Sequence, residues 1–186
     1  MAGKFLAGER IAPHALLTAS GQLAALPDAT QLVHLQFRRF AGCPVCNLHL
    51  RSFARRIGEI EAAGVRELVI FHSTPEEMRK YMSELPFAVV GDPDKRLYRE
   101  FGVEAAPRAL ADPRAWPGIA RSVGAAAQDL LRGKAAANLA PLGGRLGLPA
   151  DFLIAPDGRI VACKYGAHAD DQWSVDEVLA RAARRG

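Results

Sequence analysis

The stretch Leu32-Val-His-Leu-Gln-Phe37-Arg-Arg-Phe-Ala-Gly-Cys43-Pro-Val-Cys46-Asn-Leu-His-Leu-Arg-Ser-Phe53 decides the fold, because it passes from a strand through a short turn into a helix. Leu32 to Phe37 is an apolar, β-prone run that reads as a core strand. From Pro44 onward, Cys46, Leu50, Phe53, Ile57 and Ile60 recur at helical spacing and form one apolar stripe. Gly64 is the expected stop of that helix. The two cysteines therefore stand at a helix N-terminus, where unpaired N–H groups and the helix dipole favour a thiolate over a thiol. Their spacing also lets a small disulfide ring close and reopen by exchange. A redox-active dithiol is the reading that follows. On it, Cys43 is expected to be partly exposed and Cys46, on the apolar stripe, more buried.

The flanking segments extend the pattern. Residues 1–30 alternate short apolar pieces with turn signals and read as a small hairpin. Val65 to Phe71 is a second core strand, and Thr74-Pro75-Glu76-Glu77 is a capping box that opens a helix running to about Glu84. Phe87 to Val90 is a third strand, followed by Gly91-Asp-Pro-Asp94 and a brief helix ending near Gly102. Asp151–Ala155 and Ile160–Tyr165 form a hairpin about the turn Pro156-Asp-Gly-Arg159, and Ser174-Val-Asp-Glu177 caps a final helix. Residues 103–148, rich in Ala, Gly, Pro and Arg and helical around 117–132, read as an insertion in a single domain spanning 1–186. This order predicts a three-layer α/β/α domain with a mixed sheet. Sites in such sheets gather at the carboxyl ends of the parallel strands. The first strand delivers Cys43 there and the second delivers His72.

Composition excludes several alternatives. With 186 residues, 49% hydrophobic and 24% charged, the chain has the make-up of a globular domain. The net charge of +4, with few aromatics among the basic residues, argues against a nucleic-acid partner. No apolar run is long enough to span a bilayer, so no membrane partner is expected, and no signal peptide is visible at the N-terminus. Three cysteines in a chain of this length do not make a secreted disulfide framework. A cytoplasmic setting with a transient disulfide is the expectation.

Four segments, LAGERIAPHALLTASG, FRRFAGCPVCNLHLRSF, FAVVGDPDKRLYREFGV and GLPADFLIAPDGRIVACKYG, together resemble peroxiredoxin-like members of the alkyl hydroperoxide reductase/thiol-specific antioxidant group. The nearest branch holds selenoprotein-U-like and prostamide-synthase-like proteins. The resemblance covers most of residues 5–102 and 148–180. It implies a thioredoxin-like fold, antioxidant thiol-oxidoreductase activity without a cofactor, and a thioredoxin- or glutaredoxin-like dithiol as reductant. A small peroxide or a disulfide is the implied substrate, and a homodimer is one arrangement open to the chain. By position, Cys43 becomes the attacking cysteine and Cys46 the resolving one. Pro149 takes the place where thioredoxin-fold proteins hold a cis-proline. The chain departs from the family at two points: Phe40 stands where a Thr or Ser is usual, and Pro149 where an Arg is usual. Arg38 or Arg39 is then the substitute cation, and Pro44 opens the helix between the sulfurs.

Other readings of the same residues remain open. Cys43, Cys46 and His49 offer three metal ligands, although structural zinc sites use four, commonly in two pairs. A redox-sensing module without turnover is another. Haem attachment is excluded because Asn47 occupies the place of the required His. His72 is a candidate for proton transfer to or from Cys43 or else a loop histidine. Cys163 reads as a small apolar core residue. The insertion's Trp116, Arg108, Arg114, Arg121, Arg132, Lys134 and Arg145 read as a solvated surface, a lid or a docking face.

Overall fold

His14–Leu17 (β1) and Leu23–Leu26 (β2) pair antiparallel about a turn at Gly21, whose φ of 83° suits glycine. The chain then enters the main sheet. Leu32–Arg38 (β3), Val65–Phe71 (β4) and Ala88–Gly91 (β5) run parallel, and Ala150–Ile154 (β6) and Ile160–Tyr165 (β7) continue antiparallel, in the order β5-β4-β3-β6-β7. A parallel pair needs a crossover. Pro44–Arg55 (α1) with Ile57–Ala62 (α2) supplies the first, and Pro75–Met82 (α3) the second. Arg96–Glu100 (α4), Arg108–Ala111 (α5) and Trp116–Leu131 (α6) follow β5, and Val175–Ala183 (α7) ends the fold. This computed structural model describes residues 3–82, 85–133, 135–138 and 140–184. The expected helix end at Glu84, like Lys134, lies outside those residues.

The central strand β3 is buried along its whole length. Val33, Leu35 and Phe37 face a core shared with Tyr98 and Phe101 of the α4 segment and with Leu26 of the hairpin. The other face lies under α1, α3 and α7, where Cys43, Cys46, Leu50, Val69, Phe71 and Met78 pack as one cluster. Phe53, Leu153, Trp173 and Val178 pack as the next. The result is a thioredoxin-like three-layer α/β/α arrangement about a mixed sheet. Fully buried side chains such as Phe53 and Leu50 stabilise it by about 2–3 kcal/mol each.

Both capping boxes form. Thr74 Oγ1 accepts from Glu77 N at 3.3 Å, and Ser174 Oγ accepts from Glu177 N at 3.3 Å. The single helix expected from Pro44 to Gly64 breaks at Arg56, whose φ of −115° and ψ of 20° leave helical geometry. Its amide bonds Phe53 O, a tightened i→i−3 closure, while its guanidinium spans Glu59 and Asp176.

Candidate active site

The site begins where β3 ends. Arg38 closes the strand, and Arg39, Phe40, Ala41 and Gly42 turn the chain into α1. Ala41 N donates to Ser73 Oγ at 3.0 Å, and Cys43 N donates to Phe40 O at 3.1 Å, which tightens the turn. Gly42 has a φ of 84°, and a β-carbon there would stand 2.8 Å from Asn138 Cβ, so both conformation and space require glycine. Cys43 is the residue before the helix, Pro44 its first position, and Cys46 lies one turn in. The helix thus offers its N-terminus to both sulfurs.

Both cysteines are free thiols, and both are buried: Cys43 is 0% and Cys46 2% exposed. The expected partial exposure of Cys43 is not observed. Cys43 packs in the cluster of Phe40, Val45, Leu50, Phe71 and Met78, and the region after α6 is tied to the loop before it. Asn138 donates from its backbone to Gly42 O at 3.1 Å and from Nδ2 to Glu77 Oε1 at 3.0 Å. Further along, Arg145 O and Gly147 lie against Arg39 of the same loop.

The sulfurs titrate as a pair. Burial, and the neighbouring Cys46 sulfur, push Cys43 well above the ordinary thiol value. Burial also opposes charge on Cys46, but the Cys43 thiol, Arg39 and Arg38 outweigh it and bring Cys46 down to about 6. The pair loses one proton near 6 and holds the second far above neutrality, which leaves one negative charge shared between two sulfurs. Of the two, Cys46 is the lowered sulfur, because it receives the Cys43 hydrogen bond and feels the charge of Arg39 and, less strongly, of Arg38.

Arg39, 3% exposed, holds Nη1 3.6 Å from Cys43 Sγ and gives Nη2 to the Arg145 carbonyl. Phe40 offers no hydroxyl; its ring lies 5.3 Å from the Arg39 guanidinium and 6.3 Å from the His72 ring. His72 sits at the end of β4, buried, with neither ring nitrogen hydrogen-bonded among the described residues, and burial and Lys95 hold it neutral, down to about 4. Arg39 Nε is likewise unpaired. Pro149 differs from expectation: the Leu148–Pro149 peptide is trans, and Pro149 packs on Gly166, its carbonyl accepting from Gly166 N at 2.9 Å. The register that pairs Ala150 with both Phe37 and Tyr165 commits Pro149 to the start of β6 rather than to a turn against the sulfur.

Arg38 does not reach the sulfurs. It enters a buried polar network beneath α1, with Nη2 2.6 Å from Asp151 Oδ1 and 3.2 Å from His49 Nε2. His34 bonds Glu67 Oε2 at 2.8 Å and Asp151 Oδ1 at 3.2 Å, and stacks between Phe53 and Trp173. Gln36 links Arg38 to Glu67. Burial opposes the His34 charge, yet Glu67 and Asp151 raise it to about 9. Burial and Arg38 instead depress His49, which packs on Phe53. Two cations and two carboxylates thus balance in the interior. Among the described residues no three His, Cys, Asp or Glu side chains converge as a metal-ligand set. Cys163 is half-buried on β7, its thiol donating to Phe5 O at 3.5 Å.

Glu67, Gln36 and Asp151 were not singled out in the sequence, since strand register alone makes them neighbours of His34. Asn138 and Gly143 also went unread. The one signal was the glycine-rich run Pro141-Leu-Gly-Gly-Arg-Leu-Gly147, which reads only as a loop.

Comparison with known proteins fits this geometry. A family model described as the AhpC/TSA family matches residues 8–163. A search of curated proteins finds no match. Among solved structures, peroxidoxin BcpB from Mycobacterium tuberculosis superposes with a TM-score of 0.67 at 15% identity, covering 97% of each chain. A variant of PrxQ from Xylella fastidiosa gives 0.68 at 15% identity, over 100% of this chain and 99% of that one. A putative thiol:disulfide interchange protein, DsbE from Chlorobium tepidum, gives 0.58 at 18% identity, over 95% and 97%. At these identities the structures establish the shared fold, and the family match, covering most of the chain, establishes the lineage. The chain belongs to the AhpC/TSA family and has a thioredoxin-like fold.

Proposed function

We propose that Cys43 and Cys46 form a redox dithiol that reduces a small peroxide or a disulfide and is restored by an external thioredoxin- or glutaredoxin-like dithiol. The observation that carries this reading is a coupled, reduced cysteine pair at a helix N-terminus with the Arg39 guanidinium against Cys43 sulfur. The shared proton passes from Cys43 to Cys46, and the Cys43 thiolate attacks the peroxide oxygen. The O–O bond breaks, Cys43 becomes a sulfenic acid, and the alkoxide or hydroxide takes up a proton. Cys46 then attacks the Cys43 sulfur, expelling water and closing the disulfide. With a disulfide substrate the first product is a mixed disulfide, and the second attack expels the substrate thiol. Two electrons pass to the substrate in either case, and the external dithiol returns them. Arg39 balances the developing charge. A cytoplasmic setting, where thiols are kept reduced, suits such a cycle.

The test is Cys46→Ser. One equivalent of peroxide should leave Cys43 as a sulfenic acid, or as a mixed disulfide with added thiol, and steady-state turnover should fall at least about tenfold. A normal turnover rate in this variant contradicts the assignment of Cys46. The pH profile is a second check. With the first proton lost near 6, the rate of Cys43 oxidation should rise through pH 6 and level off by about pH 7. An unperturbed thiol would keep accelerating to pH 9.

A further inference from the structure

The reading above requires a reactant to reach a sulfur that is 0% exposed. Over Arg39, whose Nη1 lies 3.6 Å from that sulfur, and over His72 lie residues 140–147. A β-carbon at Gly143 would stand 2.2 Å from His72 Nδ1 and 2.7 Å from His72 O, and one at Gly147 would stand 3.2 Å from His72 Nε2. The loop therefore lies directly on the imidazole, and only glycine permits that approach. It also occupies Arg39, whose Nη2 donates to the Arg145 carbonyl, and Lys95, whose Nζ donates to Gly143 O at 2.7 Å.

The same loop is weakly anchored. Leu142 is 82% exposed, Gly144, Arg145 and Leu146 are also exposed, and within 140–147 only Pro141 and Gly147 are buried. Its far end is fixed, with Ala106 N donating to Leu146 O at 2.8 Å and Leu148 N to Glu104 O at 2.9 Å. A segment with few buried apolar contacts opens locally at less than the global unfolding free energy. Beneath it lie His72 Nδ1, His72 Nε2 and Arg39 Nε, buried nitrogens with no partner among the described residues. Buried polar groups are normally paired, so an unpaired set beside a nucleophile marks the place where reactant oxygen or sulfur would sit.

We propose that residues 140–147 are a gate over Cys43. Closed, it seats Gly143 and Gly147 on His72 and ties Arg39 to Arg145, sealing the sulfur. Lifted about its fixed end, it uncovers Cys43 and releases Arg39 and His72 to a small reactant. The gate serves the dithiol function proposed above, and its test needs no turnover.

N-ethylmaleimide labelling of Cys43 in the native full-length chain, followed by peptide mapping, reads the gate directly. In Gly143→Val the added side chain lifts the loop, and Cys43 should label at least tenfold faster than in the parent. Lys95→Met, which removes one tie, should give a smaller acceleration. Hydrogen exchange should show residues 140–147 opening in both variants while β3 and β4 stay protected. Equal labelling of Cys43 in parent and Gly143→Val, with the strands protected, overturns the proposal. So does a parent Cys43 that labels as fast as a small free thiol. If Gly143→Val loses strand protection, Lys95→Met decides, and an unchanged rate there overturns it. Gated labelling in a protein that reduces neither peroxide nor disulfide leaves the gate standing and removes the dithiol function. Turnover with ungated labelling does the reverse.

Discussion

Cys43→Ser is expected to abolish peroxide- and disulfide-linked turnover, with a loss of at least roughly a thousandfold, the scale on which removal of an essential nucleophile acts. The serine hydroxyl is nearly isosteric, so fold and stability should be little changed. Its oxygen, however, cannot carry the low-lying negative charge that the sulfur pair shares under Arg39. Cys46 remains, but without the Cys43 thiol it loses the hydrogen bond that helps lower it, and its value should climb from about 6 towards the ordinary thiol range. The variant should therefore neither turn over nor show the plateau near pH 7. Full activity in Cys43→Ser would make Cys46, or Cys163, the attacking sulfur.

The second large effect falls on stability. Asp151→Asn removes the carboxylate that Arg38 and His34 share, and leaves two cations facing Glu67 in a dry interior. Breaking a buried pair in this way costs about 3–5 kcal/mol. For a chain of this length that is a fall in melting temperature of roughly 10 °C. The pH dependence has a definite sign. His34 is raised from 6.5 to about 9, so its contribution is fully present below pH 6.5 and is lost as pH rises through 9. That contribution is on the order of 3 kcal/mol. Asp151 behaves oppositely: despite burial, Arg38 and His34 hold it far below the carboxylate range, so its contribution disappears only in strong acid. Unfolding measured from pH 6 to 10 should show stability declining in the parent and a flatter curve in Asp151→Asn. A flat parent curve would remove His34 from the account.

Why this network escaped the sequence is instructive. In β3, His34, Gln36 and Arg38 alternate with Val33, Leu35 and Phe37, the pattern of a strand with one wet face. Here the polar face is covered by α1 and by Trp173 from the last segment, so every position is buried. The partners arrive from β4 and β6 through register, which alternation within one strand does not encode. By contrast, the parallel strands, both capping boxes and the position of Cys43 at a helix start were legible, because each rests on local spacing and cap chemistry. The break at Arg56 was not, since the apolar stripe runs on through Ile57 and Ile60 while the backbone steps out of register.

The candidate site divides along the same line. Cys43, Cys46 and the arrival of His72 beside the same edge follow from local motifs and strand order. The covering of His72 and Arg39 does not, because the residues that lie on them come about a hundred positions after Cys43 in a glycine-rich run with no periodicity. The choice between Arg38 and Arg39 was equally hidden. Adjacent residues on an extended backbone point to opposite sides. Arg38 goes to Asp151 under the helix and Arg39 to the sulfur.

The most direct test of the central claim is to treat the reduced protein with one equivalent of hydrogen peroxide under native conditions and map every sulfur by mass spectrometry. Loss of two hydrogens is expected, with a peptide linking Cys43 to Cys46 and Cys163 still free. Unchanged thiols at Cys43 and Cys46, or oxidation confined to Cys163, would contradict the claim.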